Sequence, residues 1–123
     1  SEASMRGLAT AQTLAAALGA SLRLVHVIDP SGSSSAVQEM LRDHGHEILR
    51  EARATITAPL EDVVEDLREG PPRAELIAAC EEHAPAIAAV GTRGVGGFAN
   101  LLFGSTARAL VNHAPCPVLV TKA

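Results

Sequence analysis

Aromatic side chains are almost absent from this chain, at 2% of 123 residues with no Trp and no Tyr. Large rings therefore cannot dominate a core, which has to be built from Ala, Val, Leu and Ile, and these suit helices packed closely on a sheet. They are plentiful, since hydrophobic content is 47%. Cysteine is scarce too. Cys80 and Cys116 lie far apart and form no CxxC, so neither a zinc knuckle nor a disulfide framework is indicated and reduced thiols are expected. Positive charge is in deficit, with 10 Lys+Arg against 14 Asp+Glu and a net charge of −4. That argues against non-specific attraction to nucleic acid or to an anionic membrane. No apolar run approaches the length of a membrane span and no signal peptide is evident, so a cytoplasmic protein is expected. Finally, no Gly-Lys pair occurs anywhere, which excludes a Walker A phosphate loop.

What is present is an alternation of helical and extended patterns, in a chain of single-domain length that should bury roughly two-thirds of its unfolded surface. Leu8, Ala11, Ala15 and Leu18 recur at helical spacing, and Gly19 supplies a stop. "SLRLVHVID" reads as a strand ending at Asp29-Pro30. From Val37 to about Ile56, the positions Val37, Leu41, His44, Ile48 and Ala52 trace one helical face. Asp62 to Leu67 reads as a strand whose charges place it at a sheet edge. Pro71-Pro72 opens a helix over Arg73 to His83, where a missing N–H costs nothing. "AIAAVG" is a strand of small residues, a helix starts at Ser105, and "PVLVTK" is a closing strand. Helix and strand alternate throughout, so the expected fold is α/β, a parallel, doubly wound sheet between two helical layers. In such folds ligands sit beyond the carboxyl ends of the strands.

Gly91 is at such an end, and it opens a segment, "GTRGVGGFANLLFGSTARAL", that holds five of the ten glycines within fourteen positions. Helices and strands both disfavour glycine, so the bare backbone has another use. Gly91, Gly94 and Gly104 allow close approach of a ligand. Gly104-Ser105-Thr106 opens a helix, whose free N–H groups and positive dipole end suit an anion. Ser105 can cap that helix or donate its hydroxyl to a phosphate oxygen, and Arg93 is the segment's cation ahead of the helix. An ordinary loop followed by a capped helix has the same local pattern. "GVGGFA", residues 94 to 99, matches G-x-G-x-x-G/A, but no acidic residue follows about 20 positions on to take a ribose, so a dinucleotide site is rejected.

The full spacing is more specific. Gly91, two residues, Gly94, nine residues, then Gly104-Ser105 resembles the G-2x-G-9x-G-[S/T] signature of ATP-binding universal stress proteins. "LRLVHVIDP" looks like that family's second strand, "HAPCPVLV" like its C-terminal ending and "SEAS" like the start of its first helix, so the resemblance covers nearly all of residues 1–123 as one domain. It implies the adenine nucleotide alpha hydrolase-like fold. It also implies that Gly91, Arg93 and Gly94 lie along the ribose and phosphates of ATP, ADP or AMP, with or without Mg²⁺. Gly104, Ser105 and Thr106 would hold the phosphates, and Val27 would meet the adenine through backbone groups. Val95, Phe98 and Ala99 stand where relatives often carry polar or basic residues, which leaves the choice of nucleotide open. The resemblance further implies a homodimer through the C-terminal strand, Pro117 to Thr121, paired antiparallel with its copy. It also implies an apolar strand of roughly five to ten residues ahead of Ser1, central in the sheet, whose absence would leave its neighbours about 9–10 Å apart.

The expected function is an adenine-nucleotide-binding protein with a regulatory role in stress response. The alternative is a nucleotide-free dimerisation or interaction domain of the same fold. No general base or Mg²⁺-holding carboxylate pair is evident beside the phosphates, so no catalytic or metal-ligating residue is assigned, and ATP hydrolysis would be slow at most. His26 reads as a core histidine rather than a base. His44 and His46 diverge on a helix and make a poor metal site. Cys116, between two prolines, is a residue leading into the last strand whose thiol would be redox-sensitive if exposed.

Overall fold

The computed structural model describes residues 2–91 and 104–121. They form α1 (Glu2–Leu18), β1 (Leu22–Ile28), α2 (Ser35–Ala54), β2 (Val63–Glu69), α3 (Pro72–His83), β3 (Ala88–Gly91), α4 (Ser105–His113) and β4 (Val118–Thr121). Every element type expected from the sequence is present, and the strands are parallel. They pair as two ladders, β1 with β2 and β3 with β4, and among the described residues no ladder joins the pairs. The chain divides into two compact units, one of residues 1–11 and 77–123 and the other of residues 12–76.

In the second unit, local chemistry explains the boundaries. Gly19 adopts φ +64, and the N–H groups of Gly19 and Ala20 donate to Ala16 and Ala15 O, which closes α1 as a Schellman motif. Gln12 Oε1 accepts the N–H groups of Thr57 and Ala58, anchoring the loop after α2. Ser34 caps α2 by accepting from Val37 N at 3.3 Å, and Gly70, at φ +141, makes the turn from β2 into α3.

The face of α2 is rotated from the one its apolar spacing suggests. Gly45 and Leu49 are buried, while Val37 and His44 are exposed. The reason is Gly45. A Cβ there would stand 2.7 Å from Leu67 Cδ1 and 3.4 Å from Ile28 Cγ2, so the bare position lets α2 settle on the ladder. The charges of β2 also find their places by period-two alternation. Glu65 and Glu69 pair with Arg53 and Arg42 of α2, the latter bidentate at 2.9 and 3.0 Å. Asp66 instead accepts from Arg23 of β1, and Arg68 donates to Glu75 of α3 at 3.2 Å. Among the described residues β2 pairs with β1 alone, in keeping with a charged edge strand.

In the first unit, Ala79, Cys80, Ala107 and Leu110 are buried, a core of small side chains as the composition requires. Ladder register sets Ala88 opposite Val118 and Gly91 opposite Thr121, and α4 packs on β4. The two carboxyl ends of this ladder lie against α1, as the next section describes.

Candidate functional site

The first unit carries most of the residues singled out by the glycine spacing. Gly104 is the N-cap of α4 with φ −69 and ψ 170, and it has no side chain to cap with. Extended backbone of this kind is open to any residue, so no unusual dihedral requires glycine here. The first intrahelical bond runs from Arg108 N to Gly104 O at 3.0 Å. The N–H groups of Ser105, Thr106 and Ala107 therefore have no acceptor within the helix and project from its positive end. Ser105 is exposed, Thr106 half-buried and Ala107 buried, so the first turn is anchored by Ala107 while its hydroxyls face outward or sideways. Three convergent amides, two hydroxyls and a helix dipole can bind an anion such as a phosphate.

Gly91 has a different reason for being bare. A Cβ there would overlap the carbonyl group of Ala3 and stand 2.9 Å from Ser4 N. The carboxyl end of β3 thus meets the backbone of α1's first turn. Gly7 continues this contact one helical turn on, since a Cβ there would lie 3.2 Å from Thr121 Oγ1 and 3.5 Å from Gly91 N. Thr121 Oγ1 is buried and has no hydrogen-bond partner among the described residues. The sequence pattern missed both the Gly7–Gly91 contact and the buried Thr121 hydroxyl. The small residue at each helical turn, Ala3 and Gly7, was the available signal.

Arg93 and Gly94 lie outside the described residues. Val27 belongs to the second unit, half-buried near the carboxyl end of β1 and in register with Arg68. One residue beyond that strand, Asp29 Oδ1 accepts from Ser31 Oγ at 2.6 Å and from Ser31 N at 3.2 Å. These bonds, the hydroxyl's first, hold the Asp29 carboxyl below its usual range. His26 is half-buried in β1, and burial, aided by the neighbouring charge of His44, lowers its pKa from 6.5. It fits the core role read from the sequence.

Comparison with known proteins places these features in a family. A family model described as the universal stress protein family matches residues 1–122. A universal stress protein of Thermus aquaticus is 30% identical over 128 residues, covering 99% of this chain and 92% of that protein. Among solved structures, a universal stress protein in complex with cAMP superposes with a TM-score of 0.81 at 26% identity, covering 98% of this chain and 90% of that one. A universal stress protein family member from Burkholderia pseudomallei gives 0.78 at 28% identity, covering 100% and 89%. The chain belongs to the universal stress protein family.

Proposed function

We propose that this protein binds an adenine nucleotide and acts by binding rather than by turnover. The observation that carries the reading is the start of α4, where the amides of Ser105, Thr106 and Ala107 have no acceptor within the helix and follow the glycine spacing. Family membership and the cAMP complex of a relative 26% identical support it. In this reading Gly104, Ser105 and Thr106 hold the phosphates, and Gly91, Arg93 and Gly94 follow the ribose and phosphates. Val27 meets the base through its backbone. The ligand is ATP, ADP or AMP, with or without Mg²⁺, and the setting is a cytoplasmic stress response in which residues 1–123 act as one domain. The copy-to-copy contact would be an antiparallel pairing of β4.

A direct test denatures the purified protein and identifies any released nucleotide, followed by titration of ATP and AMP. Gly104→Val fills the phosphate space and covers the helix amides, so it should abolish binding while unfolding stays cooperative. Arg93→Ala should weaken ATP more than AMP, because a charge contact grows with phosphate charge. Equal losses for both nucleotides would remove Arg93 from the site.

A second reading, a nucleotide-free interaction domain, is favoured by one observation. Gly91 is already explained by its contact with the α1 backbone, so part of the glycine spacing has a structural cause. Full binding of nucleotide by wild-type protein that is lost in Gly104→Val decides against it.

A further inference from the structure

We propose that Cys80 and Cys116 form a dithiol modification site for small hydroperoxides, and that oxidation joins them in a disulfide within one chain. The nucleotide reading makes no use of this pair. The sequence separates the two cysteines, but the fold of the first unit brings them together. Cys80 sits in the second half of α3, and Cys116 lies between Pro115 and Pro117, immediately before β4. Both line one cleft of about 470 Å³, together with Glu81, Ala84 and Pro85. The Cys116 side chain is close enough to Cys80 to help raise its pKa.

Regular structure holds both cysteines in place. Ala84 N donates to Cys80 O at 2.9 Å, and Ala88 N donates to Pro117 O at 2.9 Å. The ladder pairing of Ala88 with Val118 fixes the approach to β4 one residue further on. Two cysteines that line one small cleft are placed for side-chain rotation to bring their sulfurs to the ~2.05 Å of a disulfide.

The two thiols are not equivalent. Cys80 is 8% exposed, whereas Cys116 is half-buried and opens to the cleft. Burial first, and then the neighbouring Cys116 and Glu81, push the Cys80 thiol up to about 11, so it stays protonated at neutral pH. A hydroperoxide in the cleft meets the more exposed thiol first, which assigns the first step to Cys116. Its sulfur attacks one oxygen of a hydroperoxide ROOH and the O–O bond breaks. ROH leaves after taking a proton, and Cys116 becomes a sulfenic acid. The Cys80 sulfur then attacks the Cys116 sulfur, the S–O bond breaks, and the departing hydroxide takes the Cys80 proton to leave as water. Two thiols and ROOH thus give one disulfide, ROH and water, with two electrons passing from sulfur to oxygen.

The bridge would tie α3 to the start of β4 and enclose the glycine-rich segment between them. To test it, the full chain is treated with hydrogen peroxide and then denatured. Thiols are counted with a chromogenic reagent and intact mass is read without reductant. The thiol titre is expected to fall from two per chain to none, with a mass loss of two hydrogens that dithiothreitol reverses. Digestion should yield one peptide pair linked through Cys80 and Cys116. In Cys116→Ser the remaining thiol should survive the same exposure. Added oxygen on Cys116 with Cys80 still free, a bridge between two chains, or oxidation of Cys80 in Cys116→Ser would each overturn the proposal.

Discussion

Replacing Gly91 with Ala separates what this glycine does for the fold from what it does for a ligand. The added Cβ would overlap the Ala3 carbonyl group and stand 2.9 Å from Ser4 N, whereas carbon atoms rest comfortably at about 3.5–4.0 Å. The obstacle is helix backbone, which cannot swing aside as a side chain can. The first turn of α1 must therefore retreat by on the order of 1 Å, or β3 must bend. Over-packing of this kind costs about 1–3 kcal/mol, and a backbone obstacle belongs at the upper end. Gly91 does not have positive φ, so Ala returns ~0.4–1 kcal/mol through the unfolded chain. The net loss is about 2 kcal/mol, a sizeable part of a typical stability of ~5–15 kcal/mol. Denaturant unfolding at 25 °C should show a lower midpoint at unchanged slope. Thermal unfolding should fall by roughly 6–16 °C, taking a shift of about 3–8 °C per kcal/mol for a chain of this size. A variant within ~0.5 kcal/mol of the parent that has lost nucleotide binding would refute the packing argument and leave Gly91 a ligand residue alone.

Ala84 adopts φ +43 at the end of α3, a conformation that costs a non-glycine residue ~1–2 kcal/mol. Ala84→Gly should therefore raise stability by up to about 1 kcal/mol despite glycine's looser unfolded chain, read as a higher denaturant midpoint. Ser34→Ala removes the hydroxyl that accepts from Val37 N and should cost ~1 kcal/mol with little change in the native fold. His26 has a folded pKa below 6.5, so the unfolded chain binds its proton more readily. The associated stability is complete above about pH 6.5 and is lost as pH falls through the folded value. His26→Gln should flatten that part of the stability–pH curve, and an unchanged slope would show that His26 contributes nothing to it. Light scattering at micromolar concentration should give twice 12.7 kDa, and the single-chain mass would rule out the β4 pairing.

The eight elements were legible because the forces that set them act over a few residues. Gly19 ended α1 by positive φ, Ser34 capped α2, and Pro72 occupied the first turn of α3. The start of α4 at Ser105 was legible for the same reason, since glycine before Ser-Thr marks a helix start and its free amides follow from helix geometry. What the sequence did not show is where the charges of the second strand find partners, because those partners are remote. Arg53 and Arg42 on α2 and Glu75 on α3 turn Glu65, Glu69 and Arg68 into paired groups, and no window along the chain contains those pairs.

The sequence by itself thus determined the order and kind of the elements, the parallel strands and the position of the helix start at Ser105. Tertiary structure alone decided which atoms meet. Gly45 rotated the buried face of α2 because Leu67 and Ile28 claim the space beside it. Gly91 met Ala3, which stands far away in the chain, and a glycine that looked reserved for a ligand acquired a packing role. Cys80 and Cys116, unrelated by spacing, came to line one cleft beside the start of β4. Periodicity and capping are written in neighbouring residues, whereas close approach depends on the volume and register of segments that only the folded chain brings together.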